Sequence, residues 1–518
     1  MGGRCVVNKL KNILLHRATI IGFSMLVQLY FMITVILRFR DFFVFFYGFS
    51  IVLSILVVFW ILNDNTNPAY KIAWMIPILL FPLFGGIFYL VFGRSRVSKK
   101  MKHRLLELSE KTREATGVHW EAMEALYKDH PQAFKQATYI KDYADSPPYD
   151  NTESSYLSTG EEKYHAVMQE IKKAEKYIFL EYFIIEPGEM WDSILEVLIE
   201  KVKKGVDVRV IYDDVGCLMT LPYDYDKTLR SYGIQCIKFN PLKPILIKSF
   251  NHRDHRKIIV VDGKVGFTGG INLADEYINI KERFGHWKDT AIMIKGEGVW
   301  NFTVMFLALW DFIDEEKNSY LSYRPTYPNI GSGFRENGIV QPFGDIPLDN
   351  EAVGETVYLN IINQAIDYVY ITTPYLVIDN EMTVALTTAA KSGVDVRIIT
   401  PFIGDKWYVQ YITRSNYKRL MDAGVKIYEY TPGFIHSKTY VADDKYGVVG
   451  TINMDYRSLY LHFECGVWLY KSPVVDDIKK DFHETLRQSK RMTKADVKNV
   501  KLHIRIIRFF LRAFAPLM

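Results

Sequence analysis

The sequence predicts an α/β protein: two pseudo-symmetric α/β sandwich halves behind an N-terminal transmembrane helical region. Three observations carry that expectation. Long uncharged apolar runs crowd the N-terminus. Strand-like segments alternate with amphipathic helices from about residue 155. Three segments of the first half return, in the same order, in the second.

The apolar runs come first. Residues 18–37, 42–62 and 72–93 contain no Asp, Glu, Lys or Arg. A helix that crosses a bilayer needs about 20 such residues, so residues 1–93 read as a membrane region with two or three transmembrane helices. A cleaved signal peptide fits poorly, because the runs are too long and too closely spaced. Six Lys/Arg fall in "RSRVSKKMKHR" (94–104), against a sparser set before the first run, Arg4, Lys9, Lys11 and Arg17. Positive flanks prefer the cytoplasm. The denser cluster therefore places the large C-terminal part there, in a multi-pass membrane protein. Three full spans would put both basic flanks on opposite sides. The third run, with Pro77, Pro82 and Gly85-Gly86, reads as kinked or re-entrant. The net charge of +5 is too modest to argue for nucleic acid. Cys5, Cys217, Cys236 and Cys465 show no paired spacing and read as reduced structural thiols.

Residues 94–150 form a charged helical connector that ends in the turn-like "SPPYDN". The first half spans 151–330. It contains the strand candidate "YIFLEYFII", then the helical "MWDSILEVLIEKVKKG" closing on Gly205, then the strand "VDVRVIYDD". The second half, 331–497, repeats this unit. "KKGVDVRVIYDDVG" returns as "KSGVDVRIITPFIG", "LRSYGIQCIKFNP" as "LMDAGVKIYEYTP", and "HRKIIVVDGKVGFTGGIN" as "HSKTYVADDKYGVVGTIN". Three echoes in register indicate a duplicated strand–helix unit. Residues 498–518 place Lys498, Lys501, Arg505, Arg508 and Arg512 on one stripe of a helix, with Ile and Phe on its other faces. Such a helix suits an anionic lipid surface.

The repeat filters the chemistry. Both copies keep His-x-Lys, four residues, Asp, six residues and Gly-[Gly/Thr]-x-Asn. These are His255, Lys257, Asp262, Gly269, Gly270 and Asn272, and again His436, Lys438, Asp443, Gly450, Thr451 and Asn453. His252, Arg253 and Arg256 have no counterpart. On a strand, residues i and i+2 share a face, about 7 Å apart. A tetrahedral phosphate fits between such a His and Lys. Lys supplies the cation and Asn an amide donor, while Gly270 and Thr451 let the chain come close. Imidazole can attack phosphorus or carry a proton. Two halves face to face offer one histidine for each task.

Asp262 stands in "VVDGKV", and Asp-Gly there reads equally well as a hairpin turn. Asp289 in "HWKDTAIMI" and Glu464 in "HFECGVWLY", on the strand after each motif, are the candidates for orienting the histidines through a ring N–H. His252 and His255 form HxxH, but no paired carboxylate or cysteine lies nearby in sequence, so no metal site is expected. The aromatic stretches "DYDKTLRSY" and "KWYVQYITRSNYKRL" read as helix faces, not as base-stacking platforms.

The doubled signature resembles the HKD motif of the phospholipase D superfamily, HxKx(4)Dx(6)G[GS]xN. Gly270 and Thr451 stand where serine is frequent. "GGIFYLVFGR", "GGINLADEY", "NMDYRS" and the basic tail also resemble bacterial cardiolipin synthases, over nearly the whole chain. The resemblance implies a transphosphatidylation without metal or cofactor: one phosphatidylglycerol gives its phosphatidyl group to a second, yielding cardiolipin and glycerol through a phosphohistidine. It implies His255, Lys257, Asp262, His436, Lys438 and Asp443 as catalytic residues, with His255 the nucleophile and His436 the acid/base. Asn272, Asn453, Gly270 and Thr451 would border the phosphate. Phosphatidylglycerol and anionic membrane lipids are the implied partners, with no nucleic acid. A membrane-bound hydrolase or nuclease of the same superfamily is the alternative enzyme. A catalytically dead membrane scaffold is disfavoured by the two intact His-Lys-Asn sets.

Overall fold

A computed structural model describes residues 26–27, 29–30, 33–34, 37–38, 43–64, 67–81, 86, 89, 99–241, 252–314, 318–327, 338–498 and 500–517. The first half contains β1 (Thr152–Leu157), β2 (Tyr177–Tyr182), β3 (Asp207–Asp213), β4 (Gln235–Phe239), β5 (Arg253–Asp254), β6 (Lys257–Val261), β7 (Val265–Gly269), β8 (His286–Lys288) and β9 (Ala291–Gly296). The second contains β10 (Ile339–Asp345), β11 (Tyr368–Thr372), β12 (Leu376–Val377), β13 (Asp395–Pro401), β14 (Lys426–Tyr430), β15 (Gly433–Ile435), β16 (Thr439–Ala442), β17 (Tyr446–Gly450), β18 (Met454–Asp455), β19 (His462–Tyr470) and β20 (Ser489–Arg491).

Two mixed sheets share one topology. The first runs β1-β9-β7-β6-β2-β3-β4 and the second β10-β19-β17-β16-β11-β13-β14, extended by β20. In each, the last three strands of that order are parallel and joined by helices, and the remaining pairs are antiparallel. β2 and β6 are buried along their whole length. A strand covered on both faces has no solvent side, so "YIFLEY" and "KIIVV" read as nearly continuous apolar runs. The helix Glu189–Lys203 starts with Glu189 and Asp192, ends on Lys201 and Lys203, and passes into Gly205 at φ 86°. Acid at its start and base at its end complement the helix dipole, and glycine accepts the left-handed exit.

The sheets meet face to face. Phe179, Ile258 and Val260 of the first pack with Val441, Val449 and Val467 of the second, together with the helices Val299–Asp314 and Val474–Arg487. Helices cover the outer faces, around Leu180, Ile259 and Trp191 in one half and around Ile371, Ile398 and Leu386 in the other. Each such side chain contributes roughly 1.5–3 kcal/mol by leaving water, so the interface between the halves is core, not a seam. The doubled α/β expectation is met.

The connector is more than a spacer. Its helices Trp120–Asp129 and Pro131–Tyr143 put Ala122, Met123, Leu126, Ala133, Ala137 and Ile140 into the core of the second half. Gln341 Nε2 donates to the carbonyls of Ala137 and Ser146, and Tyr470 donates to Asp129.

At the N-terminus, helix Phe43–Leu62 has described side chains from Gly48 onward, and helix Pro68–Leu80 is 13 residues long. Val57 and Ile61 pack on Trp74 and Ile78, while Phe49, Val52, Leu56 and Phe59 face outward. Among the described residues, no helix is long and apolar enough to cross a membrane. Most of the 18–37 run and the later part of the 72–93 run lie outside the described residues, so the expected spans rest on sequence. Asn67 ties this hairpin to the second half, its Nδ2 donating to Tyr460 Oη at 3.0 Å. The C-terminal helix, Leu502–Phe514, lies on helix Trp407–Asp422, with Arg508 against the Tyr411 ring.

Two short parallel pairings cross between the halves. β5 of the first half pairs with the start of β19, and β15 of the second pairs with β8. Gly433, in β15, is close-packed: a Cβ there would lie 2.3 Å from the His286 carbonyl oxygen. Only a residue without a side chain allows that approach. Gly433→Ala is expected to lower the melting temperature by about 5 °C and to reduce activity per folded molecule, because it pushes β15 away from β8 just before His436. Differential scanning calorimetry together with an activity assay checks this; an unchanged activity per folded molecule contradicts it.

Candidate active site

Each short pairing ends at a histidine. His255 follows β5, and its backbone N–H donates to Phe463 O of β19 at 2.9 Å. His436 follows β15 and donates to Lys288 O of β8 at 2.7 Å. Both histidines are thus held by backbone of the opposite half.

The side chains repeat the exchange. His255 Nδ1 lies 2.9 and 3.0 Å from the two oxygens of Glu464, in the second half. His436 Nδ1 lies 2.7 Å from Asp289 Oδ2, in the first. A buried carboxylate only accepts, so each Nδ1 carries the proton and each Nε2 keeps its lone pair. Both carboxylates are fully buried. Asp289 and Glu464 therefore sit where an orienting carboxylate is expected, but each serves the other half's histidine.

Lys257 and Lys438 point into the same region, and each Nζ donates to the carbonyl of the histidine two residues before it. Burial, then the fields of Lys257 and Lys438, hold His255 well below the usual imidazole range. Burial first, then Lys438, push His436 down to about 4, with Asp289 opposing. Burial lowers Lys438 to about 7 and Lys257 to about 8. It would raise Asp289, but Lys438 and His436 outweigh it and keep that carboxyl ionised. The site therefore holds two neutral imidazoles, each with a free nitrogen, beside two easily deprotonated ammonium groups. A phosphodiester anion would favour the charged form of all four.

The two histidines have different neighbours. Phe183 and His462 flank His255, at 5.0 and 5.6 Å between ring centres. Tyr277, Trp287 and Phe434 surround His436. Burial pushes His462 down to about 3. Sequence reasoning passed over His462, although it stands two residues before Glu464 on one strand and so shares its face.

Asp262 and Asp443 correct the expectation of a catalytic role. Asp262 sits at φ 51° in the β6–β7 turn and accepts from the backbone N–H groups of Glu175, Lys176 and Tyr177, at 2.7–2.9 Å. Asp443, at φ 52°, does the same for Ile366, Asp367 and Tyr368. Each caps the start of the neighbouring strand, five residues past its lysine and about 17 Å along an extended chain. The turn reading of "VVDGKV" is the one the fold uses.

The four residues expected around a phosphate also have other work. Asn272 accepts from Ile184 N and donates to Tyr277 Oη. Asn453 donates to Ser458 Oγ. Thr451 donates to Glu464 Oε2 and accepts from Cys465 N. Gly270 leaves room for the Asp289 carboxylate, since a Cβ there would lie 2.1 Å from its Oδ1. Asn272 and Asn453 brace the loops beside the motifs, and Gly270 and Thr451 serve the carboxylates.

His252 lies outside the reacting group, with Nδ1 3.2 Å from Leu461 O. Arg253 pairs with Asp213, and Arg256 with Glu181 at 2.7 Å. The basic residues of "HRDHRK" other than Lys257 thus anchor the segment that delivers His255.

Two expectations follow. Glu464→Gln is expected to cut turnover about a hundredfold or more by breaking the proton-holding contact to His255, whereas Asp262→Asn lowers thermal stability by about 1–3 kcal/mol with turnover per folded molecule kept. Parallel melting curves and rates check both; the opposite ranking refutes the division of labour. The lysines fix a basic limb as well. As pH rises through about 7 and then about 8, Lys438 and Lys257 lose their protons, so kcat/KM falls for an anionic substrate. Lys438→Arg, charged throughout, is expected to move that limb to higher pH in a pH–rate profile.

The cardiolipin synthase, phospholipase D-like domain family matches residues 167–300 and 358–486, one copy over each half. A second family, the phospholipase D-nuclease N-terminal region, matches residues 52–94. An uncharacterized protein of Streptococcus mutans serotype c is 44% identical, over 89% of this chain and 99% of its own. A cardiolipin synthase of Geobacillus sp. (strain WCH70) is 35% identical, over 91% of this chain and 94% of its own. The crystal structure of phosphatidylserine synthase from Haemophilus influenzae Rd KW20 shares the fold, with a TM-score of 0.55 and 17% identity, over 74% of this chain and 97% of that one.

Proposed function

The chain belongs to the family of cardiolipin synthase, phospholipase D-like domain proteins, phosphatidyl-transferring enzymes of the phospholipase D superfamily, and we propose that it joins two phosphatidylglycerol molecules into cardiolipin and glycerol through a phosphohistidine. The observation that carries this reading is the crossed pair. Two neutral histidines each keep Nδ1 on a buried carboxylate and Nε2 free, and the charges of Lys257 and Lys438 act on both rings.

In the first step His255 Nε2 attacks phosphorus of one phosphatidylglycerol. The phosphorus–oxygen bond to the glycerol headgroup breaks, and His436 gives that oxygen a proton. The phosphate's negative charge is what lets His436 hold this proton, against burial and the nearby Lys438 and Lys257. In the second step His436 takes a proton from the headgroup hydroxyl of another phosphatidylglycerol. That oxygen attacks phosphorus, the phosphorus–nitrogen bond breaks, and His255 is restored. Glu464 and Asp289 hold the rings and stabilise the charge each acquires. Lys257 and Lys438 offset charge on the non-bridging oxygens.

The domain reading follows the sequence boundaries, with 151–330 and 331–497 as the two phospholipase D-like halves. A membrane-embedded N-terminal region, with the catalytic part on the cytoplasmic side, suits this lipid substrate. The outward apolar face of Phe43–Leu62 supports it. The C-terminal helix adds exposed Leu502, Ile506, Phe509 and Phe510 beside Arg505 and Arg512, a surface suited to an anionic leaflet.

Purified protein in detergent micelles is incubated with phosphatidylglycerol and the lipids identified by mass spectrometry. Cardiolipin with equimolar glycerol is expected, and His255→Ala and His436→Ala each lower it by about four orders of magnitude or more. Substantial cardiolipin from either variant overturns the mechanism. Phosphatidic acid as the sole product makes water the acceptor and the protein a hydrolase.

A further inference from the structure

A third histidine completes a ligand set beside His255. His462 Nδ1 stands 3.8 Å from Glu464 Oε1, beyond hydrogen-bond reach. Both its ring nitrogens are buried and without a hydrogen-bond partner among the described residues. A buried polar group left unpaired is costly, so the absence of a partner marks a place where something else can bind. One ligand atom each from His255, His462 and Glu464 lie within 4.8 Å of one another.

The spacing suits a transition metal. Zinc binds imidazole nitrogen and carboxylate oxygen at about 2.0–2.2 Å, which in a tetrahedron separates ligand atoms by about 3.3 Å. The nitrogen–oxygen separations at Glu464 Oε1, 2.9 Å from His255 and 3.8 Å from His462, fall on either side of that figure. Two histidines and a carboxylate with an open fourth position form a known zinc ligand type. Sequence spacing hid the set, because the ligands come from different halves and His252, the partner in HxxH, faces a backbone carbonyl instead.

We propose that His255, His462 and Glu464 form a binding site for a divalent metal of the zinc class, and that its occupancy shuts off phosphatidyl transfer. The metal takes Nδ1 of His255, and the proton held there moves to Nε2. That nitrogen then has no free pair to attack phosphorus. Trp287 holds the position two residues before Asp289 that His462 holds before Glu464, so the His436 side lacks the third ligand and one metal binds per chain. Magnesium and calcium, which require oxygen ligands, do not compete. The inhibitory arm rests on His255 as nucleophile; the binding arm does not.

The test uses the full chain in detergent micelles, freed of metal by a chelator. Zinc chloride is titrated calorimetrically while phosphatidylglycerol turnover is followed in parallel. One zinc per chain is expected, with turnover falling at the same midpoint, and magnesium without effect. His462→Asn and His462→Trp, the latter copying the opposite half, are each measured against their own zinc-free turnover and are expected to need at least about tenfold more zinc for half-inhibition. No stoichiometric binding, or inhibition of both variants at the wild-type concentration, overturns the site. One zinc bound, weakened in both variants, with turnover unimpaired, keeps the site and overturns His255 as nucleophile. Should both variants misfold, Co²⁺ bound to the wild type decides: a tetrahedral visible spectrum bleached by zinc supports the site, and an octahedral one overturns it.

Discussion

The rest of the structure depends on a reciprocal hold. Each half presents a histidine that the other half positions twice, by a backbone carbonyl and by a buried carboxylate. Removing either half would leave Asp289 or Glu464 as an unpaired charge in an apolar core, and breaking a buried pair in that way costs several kcal/mol. Geometry and stability are therefore tied together. The contacts that aim the two imidazoles are also those that penalise separation of the sheets.

The same arrangement sets the charge balance. Two lysines and two carboxylates, all buried, converge with two buried imidazoles. Ionised, the lysines and carboxylates sum to zero, and burial keeps both rings neutral. An incoming phosphodiester brings one negative charge, which the site can match by protonating one ring. Acid/base chemistry then needs only the arrival of substrate. Because the dipoles and charges are already in place, little reorganisation accompanies the reaction.

Much of this was legible in the sequence, and what was not has a physical cause. Strand periodicity places His255 with Lys257, and His436 with Lys438, on one face, and the duplication singles them out from His252, Arg253 and Arg256. The three echoes likewise announce two sheets of one topology. The partner of each histidine was not readable, because repeats line up equivalent residues within a chain and say nothing about which half supplies a contact. Asp262 showed the opposite weakness. Its place in the motif suggested chemistry, while its Asp-Gly dipeptide stated its task, which is to cap three backbone N–H groups. Residues 120–143 look like a polar linker because only one stripe of each helix is apolar. Their burial depends on a surface formed some 200 residues later in the chain.

That last placement has a consequence for how the protein is made. The helices Trp120–Asp129 and Pro131–Tyr143 leave the ribosome long before β10, β11 and β19, the strands against which they pack. At roughly 5–20 residues per second, synthesis of the missing partners takes some tens of seconds. During that interval Met123, Leu126 and Ile140 have no native core to enter. The first half can close around Trp191 and Leu180 while its own N-terminal extension waits. The nascent chain thus carries an unsatisfied apolar segment next to the apolar runs of its N-terminus, a place for a holding chaperone or a bilayer surface to act before the final strands arrive.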